Sequence, residues 1–175
     1  LKNNKIVLIF VAVFILFVSY LLLPSFYKQS EISKKLQIEL QSKFDTKFKF
    51  SKNLKYNLFP MPHFTTTEAS IFDNKKEISK IKSLKIFISI DKLFSINDIK
   101  IKDFIIENAN FNFSKKNFNF FINLMNKNFK HGNFIIKDSN IFFRNSEEDV
   151  LFINKILKMK YSHDSKELKN ILFTE

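Results

Sequence analysis

The residue types that do chemistry are few in this chain, and their spacing decides what they can do. Three histidines, His63, His131 and His163, stand far apart. None belongs to a His-x-x-x-His pair, the arrangement that sets two imidazoles on one helical face to hold zinc. His163-Asp164-Ser165 has the residue types of a hydrolytic triad. Triads converge in space, however, and sequence neighbours rarely meet on one substrate atom, so a polar turn between strands is the simpler reading. Glu147-Glu148-Asp149 is a run of carboxylates that suits a solvated hairpin between Arg144 and Val150 better than a cation site. No two carboxylates are spaced to push their pKa values apart, as acid–base pairs require. Lys115-Lys116-Asn117-Phe118-Asn119-Phe120-Phe121 interleaves cations with rings, a pattern that can stack on single-stranded bases. Rings at this density more simply fill an apolar face. The sequence therefore predicts no catalytic residue, no metal site and no cofactor.

Composition closes further routes. With no Cys, a disulfide scaffold, a Cys-based zinc site, an iron–sulfur cluster and a thiol nucleophile are excluded. A single glycine, Gly132, excludes the dinucleotide fingerprint and the phosphate-cradling P-loop, which need several glycines close together. The net charge of +12 comes almost wholly from Lys, with Arg144 the only arginine. Lys, Asn, Ile and Phe make up more than half of the chain, the set that AT-rich codons supply. Readers of nucleic acid favour the forked donors of Arg, so nucleic acid is not an expected partner.

The elements that remain are a membrane segment and a β-rich domain. After a short flank over residues 1–5, Ile6–Leu23 runs 18 residues without a charge. As a helix it spans about 27 Å, close to the roughly 30 Å of bilayer hydrocarbon. It is longer than a signal-peptide core and runs into Leu22-Leu23-Pro24 with no small-x-small cleavage site, so the expectation is an uncleaved anchor over residues 6–23. Lys2 and Lys5 before it are matched by Lys28, Lys34 and Lys35 after it, which leaves orientation open. Residues 24–45 follow as an amphipathic helix, with Ile32, Leu36, Leu40 and Phe44 on one stripe. That stripe suits packing against the next domain, with lying on the membrane surface as the alternative.

From Thr46 the period becomes two, and residues 46–175 read as β-rich. Phe48 and Phe50 alternate with lysines, as do Leu54, Tyr56 and Leu58 with Lys55 and Asn57, before Pro60-Met61-Pro62 breaks the pattern. Strands are predicted over His63–Phe72, Ser79–Ile90 and Ile96–Ile106, with Asp91–Ser95 as a short connection carrying an apolar plug. Phe104–Phe113 and Phe134–Phe143 repeat at an offset of 30, sharing five of ten positions, and Phe64–Phe72 resembles a third copy. Between the clear copies, Asn119–Asn126 is predicted as a short helix. A repeated strand–turn–strand unit predicts an elongated sheet whose units bury a face against one another. The fold class is α+β: one transmembrane helix, one amphipathic helix, then a mostly antiparallel curved sheet. A start at Leu1 and a stop just after Ile171-Leu172-Phe173 read as the N-terminal piece of a longer chain.

This order of elements, with Tyr56-Asn57-Leu58-Phe59-Pro60-Met61-Pro62, an Ala-Ser strand, Ile86-x-Ile88-x-Ile90 and a Lys-Leu-Phe plug leading to Phe104–Phe113, resembles the N-terminal domain of AsmA-like proteins. Those are anchored in the inner membrane of Gram-negative bacteria. The family commonly has Gly near Asp45 and at Asn53, where this chain has residues that tolerate left-handed backbone. The resemblance implies a periplasmic β-groove, apolar inside, associated with phospholipid movement and outer-membrane biogenesis.

A sheet with one Phe- and Ile-rich face needs a cover for it. The sequence reading is a non-enzymatic groove for phospholipid acyl chains, lined by Ile86, Ile88, Ile90, Ile99, Ile101, Phe111 and Phe113. Membrane lipids are the expected partners. An envelope assembly factor that pairs strands with other envelope proteins by edge addition is the alternative. A cytoplasmic domain whose lysines hold anionic lipid or RNA is the third.

Overall fold

A computed structural model describes residues 2–44, 47–50, 53–73, 76–118, 133–163 and 168–174. It is α+β: two helices followed by a single mixed, mostly antiparallel sheet. Helix α1 (Lys2–Leu22) continues through a 3-10 turn at Leu23–Phe26, where Pro24 supplies the fixed φ suited to a first helical turn. Asn4–Phe26 is long and apolar enough to cross a membrane, with mean hydropathy 3.2, and most of its side chains are exposed up to Pro24, which is buried.

Helix α2 (Gln29–Phe44) turns its predicted stripe inward: Ile32, Leu36 and Leu40 are buried. They join one core with Phe48 and Phe50 of β1 (Lys47–Phe50) and with residues of β2 (Leu54–Asn57), β3 (His63–Asp73), β4 (Lys76–Ile88) and β5 (Ile101–Ser114). Each such side chain contributes about 1.5–3 kcal/mol by leaving water. The far end of α2 is fixed by Lys43, whose Nζ donates to Ile101 O at 2.5 Å. Burial lowers the pKa of that amine, against the opposing pull of Asp103 and Glu39.

The strand order is β1-β3-β4-β5-β6-β7-β8, completed by β6 (Asn133–Arg144), β7 (Val150–His163) and β8 (Leu168–Thr174). β2 shares an edge of β3 with β1: Leu54 faces Thr66, while Phe50 faces Ala69. All neighbours are antiparallel except β5 and β6, which run parallel with Phe104 beside Phe134 and Phe111 beside Ile141. The offset of 30 is therefore a physical register, with like residues side by side. Rings stack along it: Phe104 on Phe134 at 5.4 Å, then Phe134 on Tyr161 at 5.0 Å.

Phe64–Phe72 lies within one strand, as expected, and Phe104–Phe113 and Phe134–Phe143 are each continuous strand too, where the repeat predicts a strand–turn–strand unit. The centre of each copy holds a left-handed residue instead: Glu68 (φ 64°), Asn108 (φ 55°) and Asp138 (φ 46°). The ladder skips these positions together with Lys82 and Leu157, which form a crease across five strands. The buried parity flips there, from Phe104 and Ile106 to Ala109 and Phe111. At the crease Ser139 Oγ accepts the Ala109 N–H at 3.0 Å and donates to Lys137 O at 2.7 Å, so the skipped amide keeps a partner.

Ile96–Ile106 is shorter as a strand than predicted, because Ile96–Asp98 forms a 3-10 turn capped by Ser95 Oγ, and β5 starts at Ile101. Leu93 is the buried plug of the connection, whereas Phe94 is exposed. The predicted helix at Asn119–Asn126 lies outside the described residues.

Candidate functional site

Three of the four tyrosines gather where the apolar helix meets the sheet. Tyr20 OH donates to Ile90 O at 2.6 Å and accepts the Leu93 N–H at 3.1 Å. Tyr27 OH donates to Leu93 O, and Tyr56 OH reaches back from β2 to Leu21 O. Gln29 Nε2 adds a bond to Leu54 O at 3.2 Å. Burial pushes the Tyr56 phenol up to about 12 and raises Tyr27 as well, with Tyr20 adding to the latter. The end of α1 is thus joined to the sheet by side-chain hydroxyls rather than by a slack tether. Tyrosine suits that position, because its ring is apolar and its hydroxyl satisfies a backbone group.

Beside this joint lies a cleft of about 690 Å³. One wall is α1, through Phe14, Phe17 and Val18; the other is the Pro60-Met61 turn with Ile90. Phe59-Pro60 is a cis peptide bond, and Ile88 N–H donates to Pro62 O at 3.1 Å, which ties the turn to the end of β4. Asp91 and Lys102 also border the cleft, and both are exposed. An apolar cleft bordered by one cation and one anion can hold a hydrocarbon chain beneath a polar head. Two other clefts are more polar: about 540 Å³ between α2 and β1, including Gln29, Ser33 and Gln37, and about 430 Å³ over the crease, between Glu68, Lys82 and Asn110.

The seven residues proposed from sequence separate into two groups. Ile86, Ile88, Ile99, Ile101 and Phe111 are buried in the core that α2 joins, so the chain itself fills the face at those five positions. The physical reason is the α2 stripe, which covers the first strands where an open trough was expected. Ile88 also borders the juxtamembrane cleft, as does Ile90, which is exposed. Phe113 is half-buried, with its ring 5.4 Å from Phe118 and 5.1 Å from Phe143. The sequence reading missed Phe14, Phe17, Met61 and the tyrosine joint. An apolar Phe59-Pro60-Met61-Pro62 in a turn, where polar residues are usual, was the available signal.

Of the residues first inspected for chemistry, His63 and the Glu147–Asp149 run take part in local structure. His63 is buried, with Nδ1 2.7 Å from Met61 O and its ring against Phe87. His163 ends β7, while His131, Asp164 and Ser165 lie outside the described residues. Glu147-Glu148-Asp149 forms the β6–β7 hairpin, where Asn145 Oδ1 accepts the N–H groups of Glu147 and Asp149. The Lys76 ammonium, hydrogen-bonded to Glu148, lowers that carboxyl's pKa. Among the described residues no cluster of His, Asp and Glu could hold a metal ion.

No protein-family model matches the chain, and no curated protein matches it.

Proposed function

We propose that this chain is a membrane-anchored, non-enzymatic envelope protein that binds phospholipid acyl chains, with the cleft beside α1 as the place where a chain leaves the bilayer. One observation carries the reading. The 690 Å³ cleft has its apolar wall on Phe14, Phe17 and Val18, residues of the same helix that is apolar enough to cross a membrane. Its size falls within the roughly 300–1,000 Å³ of small-molecule sites. A hydrocarbon guest needs only a dry path, recovering about 0.8 kcal/mol per CH₂ kept from water. Lys102 and Asp91 suit the phosphate and amine of a headgroup.

The AsmA-like order of elements supplies the setting: an inner-membrane anchor, a periplasmic domain, and passage toward the outer membrane along an elongated β-groove. Half-buried Ile141 and Phe143, then exposed Phe152, extend an apolar surface beyond the part covered by α2. Phe143 and Phe152 stack at 4.1 Å.

A photocrosslinking residue at Met61 tests the reading in native membranes. A phospholipid adduct is expected there, and adducts to protein alone would overturn it.

A further inference from the structure

Four exposed apolar residues cluster on the two loops beside α1: Phe59 (86%), Met61 (43%), Ile90 (49%) and Phe94 (79%). Both loops reach back along the helix rather than standing clear of its end. Phe94 packs on Tyr20 at 4.8 Å, and Phe59 and Met61 share the cleft with Phe17. At 1.5 Å rise per residue, Tyr20 lies about 5 Å and Phe17 about 9 Å inside the end of the apolar stretch at Leu23. If bilayer surrounds that stretch, it meets these loops at the same depth.

Part of the loop backbone has partners of its own, which matters in a medium where an unpaired polar group costs several kcal/mol. Pro60 and Pro62 have no N–H to satisfy. Met61 O lies 2.7 Å from His63 Nδ1, and Pro62 O accepts from Ile88 N. In the other loop Ile90 O and Leu93 N–H share the Tyr20 hydroxyl, and Leu93 O accepts from Tyr27. Exposed Asp91 and Lys92 sit between Ile90 and Phe94, which sets a limit on depth. Charged heads stay with the headgroups while apolar neighbours enter the acyl boundary.

We propose that the Leu58–Pro62 and Ile90–Phe94 loops form a foot inserted at the acyl–headgroup boundary of the bilayer, on the side where the sheet emerges. The proposal rests on the reading of α1 as a spanning helix and adds a second, monotopic contact to it. The foot holds the juxtamembrane cleft at the level of lipid tails, so a tail can enter sideways without crossing water.

These 175 residues contain no Trp, so Phe59→Trp and Phe94→Trp each give this chain one reporter. In phospholipid vesicles, lipids brominated at shallow acyl positions should quench both reporters strongly, and acrylamide should quench them weakly. Strong acrylamide quenching, or blue-shifted emission that brominated lipid leaves unchanged, overturns the foot; the second outcome means that protein covers the loops. Alkaline carbonate extraction of the same samples tests the anchor separately. A chain that resists extraction but shows no bromolipid quenching refutes the foot and leaves the spanning helix standing.

Discussion

The Tyr20 hydroxyl holds the Leu93 amide at 3.1 Å while donating to Ile90 O at 2.6 Å, so one side chain of the apolar helix closes a loop of the domain some seventy residues away. That relationship makes α1 part of the folded unit and fixes one wall of the cleft relative to the other.

Replacing Tyr20 with Phe keeps the ring against Phe94 but leaves two backbone groups without that partner. The loss should be about 1–3 kcal/mol, the cost of leaving such groups unsatisfied. Denaturant unfolding of the detergent-solubilised chain measures it, with faster hydrogen exchange at the Leu93 amide as the local sign. Unchanged exchange there would show that the hydroxyl does not hold the loop.

Helix α2 should behave as core. Leu36 is fully buried, and Leu36→Ala is expected to cost about 2–5 kcal/mol, as a cavity in a packed interior does. Ile38, on the same helix, is exposed, and Ile38→Ala should change stability by no more than about 0.5 kcal/mol. Equal effects from both substitutions in thermal melts would mean that α2 is not seated on the sheet by this stripe.

Alkaline stability should carry the mark of Tyr56. Its phenol titrates near 12 in the folded chain against an ordinary value of 10.0, because burial disfavours the phenolate. A raised folded pKa gives stability that is whole below the unfolded value and lost as pH climbs through the folded one. Between those limits the melting temperature of the wild type should fall more steeply than that of Tyr56→Phe, which has no phenol to ionise. Parallel curves would contradict the assignment.

Orientation can be read with one thiol. The sequence has no Cys, and Glu147 lies exposed on the β6–β7 hairpin. Glu147→Cys should react with a membrane-impermeant maleimide added to intact cells whose outer membrane has been made permeable. Labelling only after lysis would put the domain on the cytoplasmic side.

The sequence made some of this legible because its signals are local. Alternation in Lys47–Phe50 and the four-residue spacing of Ile32, Leu36 and Leu40 depend on backbone periods, and both elements formed as expected. The offset of 30 was visible as composition, but its meaning as a parallel register was not, since pairing between Phe104 and Phe134 is set by the whole sheet. The crease was hidden for a related reason. With one glycine in the chain, its left-handed positions fall to Glu68, Asn108 and Asp138, which look in sequence like ordinary polar strand residues. The cleft was least legible: it joins Phe17 to Met61 and Ile90, and no spacing rule links a helix to two loops so far along the chain. Ile86 and Ile101 were read as lining because alternation reports which face is apolar and not what covers it.

Native mass spectrometry of the chain ejected from phospholipid nanodiscs addresses acyl-chain binding most directly. The cleft should retain a discrete phospholipid, and Ser89→Trp, which places a ring where Ser89 borders the cleft, should remove most of it. A chain that emerges without lipid, or one that retains as much lipid with Trp at position 89, would contradict the account.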